Sequence, residues 1–178
     1  MFRLAPLLLT WLAVSGLAKG VEPTADKSDL PRVSPTSPKN VINTFSIREG
    51  FEIQLVAAEP LVVDPVAMAF DEHGRLYVVE MIGYSEHRDD RLGRVRLLED
   101  ENGDGQFDRS TIFADNLAWP TAVACFDGGV FVGATPDILY LKDTDGDRKA
   151  DERKVALTGF GEGVKRLNMQ SLMNSFRW

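Results

Sequence analysis

The sequence carries one cysteine, Cys125, in 178 residues. A lone thiol excludes an internal disulfide framework, a CxxC metal site and a CxxCH haem attachment site within the chain. An excess of basic residues is also missing: the formal charge is -7 and the isoelectric point about 4.9. Nothing forms the basic stripe that nucleic-acid binding needs, so nucleic acid is excluded as a partner. No apolar run reaches the roughly 20 residues that span a bilayer comfortably. Helical periodicity is absent beyond the N-terminal segment. The hydrophobic content, 44 %, is that of a globular domain and too high for a disordered chain.

What is present begins with a targeting pattern. Arg3 supplies a short positive region, and Leu4–Ala18 is apolar apart from Pro6, Thr10, Ser15 and Gly16. Small residues at Gly16 and Ala18 suit signal-peptidase cleavage after Ala18, against the alternative of an uncleaved anchor. The expectation is a signal peptide over 1–18 and an exported protein, periplasmic or extracellular, with no membrane span after cleavage. Pro23, Pro31, Pro35 and Pro38, among Ser, Thr, Asp and Lys, mark 19–44 as a flexible linker. The folded domain is expected over 45–178.

Within that domain short β patterns recur. Residues 50–57 alternate polar and apolar as a half-buried strand does. Strands follow at 64–70 and 75–80 around the turn Asp71-Glu72-His73-Gly74, then at 94–98 and 110–114. The cycle restarts with 119–124, the turn Asp127-Gly128-Gly129, then 130–134, 137–141 and 154–158. Asn174–Trp178 reads as the first strand of a third unit. Four short strands per unit, repeated at blade spacing, predict an all-β fold, a partial β-propeller of about two blades plus the start of a third. Propellers close with roughly four to eight blades. The chain therefore reads as an N-terminal fragment or truncated product of a propeller, of six blades by analogy.

The repeat is most explicit in two acidic loops. Asp100-Glu101-Asn102-Gly103-Asp104-Gly105-Gln106-Phe107-Asp108 is echoed by Asp143-Thr144-Asp145-Gly146-Asp147-Arg148-Lys149-Ala150-Asp151, both D-x-[DN]-G-D-x-x-x-D. Calcium takes six to eight oxygens, and alternate residues of a tight loop aim theirs inward. In the first loop the candidate ligands are the side chains of Asp100, Asn102, Asp104 and Asp108 with the carbonyl of Gln106. In the second they are Asp143, Asp145, Asp147 and Asp151 with the carbonyl of Lys149. Gly105 sits where a sharp turn is needed; Arg148 replaces it in the second loop and is expected to strain and weaken that site. Neither loop has the bidentate Glu of a helix-loop-helix calcium sensor, since Thr111 and Lys154 stand there. Each loop could instead be a polar turn capping its own amides. Carboxylates clustered without a cation repel one another, which favours calcium in a structural role.

Other candidates carry weaker signals. The Met81–Gly93 loop holds Tyr84, Glu86, His87, Arg88, Asp89 and Asp90. His87 with Glu86 could move a proton and Arg88 could hold an anion, but ordinary surface ion pairs are the simpler reading. His73 reads as a solvent-exposed turn residue and Cys125 as a small core residue. Trp119, Phe131, Tyr140 and Trp178 read as packing residues.

Several longer stretches carry a family resemblance. They are Asp64-Pro65-Val66-Ala67-Met68-Ala69-Phe70-Asp71, Leu76-Tyr77-Val78-Val79-Glu80-Met81, Leu92-Gly93-Arg94-Val95 and Asp104-Gly105-Gln106-Phe107-Asp108. They continue with Trp119-Pro120-Thr121-Ala122-Val123, the run from Ala134 to Asp147, Leu157-Thr158-Gly159-Phe160-Gly161 and Asn174-Ser175-Phe176-Arg177-Trp178. Over Gly50–Trp178 the chain resembles the membrane-bound dehydrogenase domain family of exported bacterial proteins, of the planctomycete and verrucomicrobial type. The resemblance implies a propeller similar to quinoprotein glucose and sorbosone dehydrogenases, often fused to a haem-binding cytochrome c domain. It implies that a full-length protein oxidises a sugar or alcohol, with pyrroloquinoline quinone as a cofactor of that full-length protein only. No catalytic residue of those enzymes transfers by motif to a position here, and this chain has no haem motif. The fragment alone is expected to be inactive. The alternatives are a non-enzymatic carbohydrate-binding or scaffold propeller and the remnant of a broken gene.

Overall fold

The computed structural model describes residues 33–161, 170 and 172–177. The expected signal peptide, most of the linker and Trp178 lie outside the described residues. Residues 36–178 form one compact unit. It opens with a single helical turn, α1 (Pro38–Val41), and a turn of 3₁₀ helix (Ile42–Thr44) inside the stretch read as linker. Pro38 is compatible with that turn because it stands at the helix start, where a missing N–H costs nothing.

Two four-stranded antiparallel sheets follow, each a simple meander. The first holds β1 (Pro65–Phe70), β2 (Leu76–Glu80), β3 (Gly93–Glu99) and β4 (Arg109–Leu117) in that order. The second holds β5 (Ala122–Phe126), β6 (Gly129–Ala134), β7 (Asp137–Lys142) and β8 (Glu152–Leu157). The expectation of a mostly β chain is met, and neither sheet closes on itself. In the first hairpin Asp71 accepts the amides of His73 and Arg75 and the Arg75 guanidinium. In the second, Asp127 and Gly128 both adopt positive φ, the backbone of a two-residue turn whose twist matches the flanking strands.

The core lies between the sheets. Tyr77, Val79, Val95, Leu97 and Phe113 of the first sheet pack with Val123, Val130, Val132, Leu139 and Leu141 of the second. The Tyr77 and Phe113 rings meet edge to face at 5.0 Å. Cys125 behaves as a core residue: its thiol donates to the Ala69 carbonyl at 3.8 Å, and burial pushes it up to about 11.

Two expected strands are not formed. Residues 51–57 keep the expected alternation, with Ile53, Leu55 and Ala57 half-buried, yet make no ladder. The one backbone bond that ties this segment to a loop of the first sheet runs from Phe107 N–H to Val56 O at 3.0 Å. Residues 174–177 are likewise outside any strand. In the first case the alternating pattern is present, but among the described residues no neighbouring strand supplies the partners that a ladder requires.

Candidate functional site

The acidic loops connect the third and fourth strand of each sheet and fold alike, hydrogen bond for hydrogen bond. Asp100 accepts Gly103 N–H through one oxygen and Gly105 N–H through the other, at 2.6 and 2.8 Å. Asp143 accepts Gly146 and Arg148 in the same way, at 2.7 and 2.9 Å. Asn102 accepts Asp104 N–H as Asp145 accepts Asp147 N–H, and Asp104 accepts Gln106 N–H as Asp147 accepts Lys149 N–H. The closing aspartates, Asp108 and Asp151, accept the amides of Glu101 and Thr144. Both loops thus have the hydrogen bonds of a polar turn that caps its own amides. Backbone donors, Gly105 foremost, hold the Asp100 carboxyl below its ordinary range. Burial pushes Asp143 up, but the amides of Gly146 and Arg148 outweigh it and the net direction is down. Both groups are therefore ready-made anions.

The second loop gathers its carboxylates most tightly: one oxygen from each of Asp143, Asp145 and Asp151 lies within 4.8 Å of the others. That spacing suits oxygens that share a cation at about 2.3–2.6 Å each. In the first loop the asparagine changes the pattern, since Asn102 turns its amide to Asp108 at 3.3 Å. Arg148 has φ +72° where Gly105 has +89°, so the arginine takes the left-handed conformation that the turn demands. Its guanidinium is held by Glu99 of β3 at 2.6 Å, which anchors the residue that looked like a fault in the sequence.

The Met81–Gly93 loop is not loose. Tyr84 packs on Trp119 at 5.6 Å between ring centres, and Trp119 donates to Gly83 O. Arg88 donates to Thr135 O at 2.8 Å, so the candidate anion holder is spent on a carbonyl of the second sheet's β6–β7 turn. His87 pairs with Asp90 at 3.0 Å, while Glu86 accepts from Ser85 and is lowered chiefly by that hydroxyl. The proposed His87–Glu86 relay is not assembled. Asp89 is almost fully exposed beside Arg88.

Two features were missed in the sequence. Glu80, at the end of β2, is fully buried. It accepts Val63 N–H at 2.6 Å, the Arg94 guanidinium and the Arg96 guanidinium at 3.3 Å. An acidic residue closing a buried strand, opposite an Arg-x-Arg pair on the next, was the available signal. The second feature is a cleft of about 590 Å³ where β1 and β5 begin. Asp64, Tyr84, Thr121 and Asn174 give it polar walls, with Met81 and Met173 apolar. Asp64 and Trp119 precede prolines at matching points of the two sheets, and both have positive φ, +46° and +45°. Most of the lining surface is apolar, and the Asp64 carboxylate is the charged group among the described residues that line it. Among the described residues no helix is long and apolar enough to cross a membrane.

The family model described as a domain of unknown function, DUF7133, matches residues 37–178. The chain belongs to that family. No curated protein and no solved structure matches it.

Proposed function

Within that family, we propose that this chain is a calcium-braced part of an exported β-propeller whose cleft takes a sugar or alcohol. The observation that carries the reading is the pair of acidic loops on a common hydrogen-bond frame, one per sheet, with three carboxylate oxygens within 4.8 Å in the second. A divalent cation would relieve their mutual repulsion and pin the β7–β8 connection to the neighbouring sheet, where Ala150 N–H meets Phe113 O at 2.7 Å. Asp143, Asp145 and Asp151 would hold it in the second loop, and Asp100, Asp104 and Asp108 with Asn102 in the first. The repetition of one four-stranded meander with the same loop at the same place supports the propeller reading.

The cleft's side chains support binding rather than turnover by this chain alone. They include a carboxylate, a phenol, a hydroxyl and an amide, with no base paired to a nucleophile among them. Oxidation of the bound molecule, with pyrroloquinoline quinone and transfer to a cytochrome c domain, belongs in this reading to a complete propeller. A non-enzymatic carbohydrate-binding propeller remains the second reading, favoured by the same cleft chemistry. Both predict that a panel of monosaccharides and polyols includes one that changes the fluorescence of the chain, with Trp119 against Tyr84 as reporter. Tyr84→Ala is expected to weaken that ligand at least tenfold with the fold retained. No response across the panel at millimolar concentration contradicts the cleft's role.

A further inference from the structure

The cleft where β1 and β5 begin sets charge of one sign against apolar walls. Met81, Leu172 and Met173 are apolar, while Thr121 and Tyr84 add neutral hydroxyls. The Asp64 carboxylate carries the charge, and no basic side chain stands with it among the described lining residues. Other acids at this end of the first sheet are answered. Glu80 accepts from Arg94, Arg96 and Val63, Asp90 pairs with His87, and Glu86 accepts from Ser85. Asp64 is exposed, and among the described residues its carboxylate meets neither a hydrogen-bond donor nor a cation. Its backbone is nonetheless fixed. Asp64 holds φ +46° directly before Pro65, a conformation seldom adopted by a residue with a side chain, and its carbonyl accepts Met81 N–H at 3.1 Å. Backbone strain of this kind concentrates at binding and catalytic sites. Trp119 takes the matching place before Pro120, and its ring backs Tyr84 at 5.6 Å. Tyr84 remains 52 % exposed, which leaves aromatic surface for a ligand.

We propose that the cleft selects, among sugars and alcohols, those that carry a protonated amine: an amino sugar or an amino alcohol. An ammonium donates charge-assisted hydrogen bonds to the Asp64 carboxylate, and the Tyr84 ring attracts the same cation through its quadrupole. The carbon skeleton lies along Met81 and Met173, whose flexible, polarizable side chains fit an irregular body. A neutral sugar leaves the carboxylate without a counter-charge, and an anionic one is repelled by it. Specificity then comes from one charge in a mostly apolar site, the usual division of labour in small-molecule clefts. The inference rests on the reading of this cleft as the seat of a sugar or alcohol, and adds the charge that the ligand bears. It does not depend on calcium.

Fluorescence titration of the purified chain with matched pairs tests it. The pairs are glucosamine against glucose and 2-aminoethanol against ethylene glycol, at about pH 6, where both amines are protonated. The amine of at least one pair is expected to bind at least tenfold more tightly than its neutral partner. Raising the salt from about 20 mM to about 500 mM is expected to narrow that preference, because an exposed ion pair is screened. Asp64→Asn keeps the size of the side chain and tolerates positive φ, and is expected to bring each pair within about threefold. Neutral members that bind as tightly as their amines, or a preference that survives Asp64→Asn, overturn the inference and leave a sugar or alcohol in the cleft. No response to any of the four overturns both this inference and the reading it rests on.

Discussion

At the scale of single residues, Glu80 is the side chain on which the first sheet depends most. A fully buried carboxylate is costly unless paired, and this one is met by two guanidiniums and a backbone amide. Removing it strands Arg94 and Arg96, which are themselves mostly buried. Glu80→Ala is therefore expected to cost about 3–5 kcal/mol in urea unfolding. A loss below about 0.5 kcal/mol, the scale of an ordinary surface change, would show that water replaces the carboxylate freely. The Arg-x-Arg pair on the next strand hints at Glu80 without establishing its burial, because burial of a strand end depends on what the rest of the chain lays over it. Arg148 teaches the converse. Its misfit to a tight turn was legible, while its compensation by Glu99 depends on a residue 49 positions away.

At the scale of elements, the strands and turns of both meanders were legible because each is a local hairpin problem. Period-2 alternation and Asp-Gly chemistry decide such problems within a few residues. Residues 51–57 show the limit: an alternating pattern licenses a strand only where a neighbour exists to complete the ladder. Close approach between elements was not legible either. A Cβ on Gly93, the first residue of β3, would lie 2.3 Å from Pro120 Cδ and 2.8 Å from Leu117 O. Pro120 stands just before β5, so this contact joins the two sheets at the cleft end. Gly93→Ala is expected to destabilise the chain by about 1–3 kcal/mol, the cost of overpacking, read as a lower urea midpoint at unchanged slope. An unchanged midpoint would mean that the proline ring moves aside without loss.

At the scale of the whole molecule, the repeat is the unit of explanation. One sheet with one acidic loop occurs twice, and the second copy docks on the first. Composition and motif spacing revealed the repetition. Which side of each strand faces the core emerged only from the ladders and the packing between the sheets. The cleft combines the starts of two strands, a loop and residues near 172, positions too far apart in sequence for any motif to join. The cation site proposed between the third and fourth strands of each sheet is tested most directly by calorimetric titration with calcium. The wild type is expected to bind two calcium equivalents, with Asp104→Asn losing the first loop's and Asp151→Asn the second's, and to unfold at a higher temperature when loaded. No heat of binding and no shift in unfolding temperature at millimolar calcium would contradict it, and would leave the two loops as turns that cap themselves.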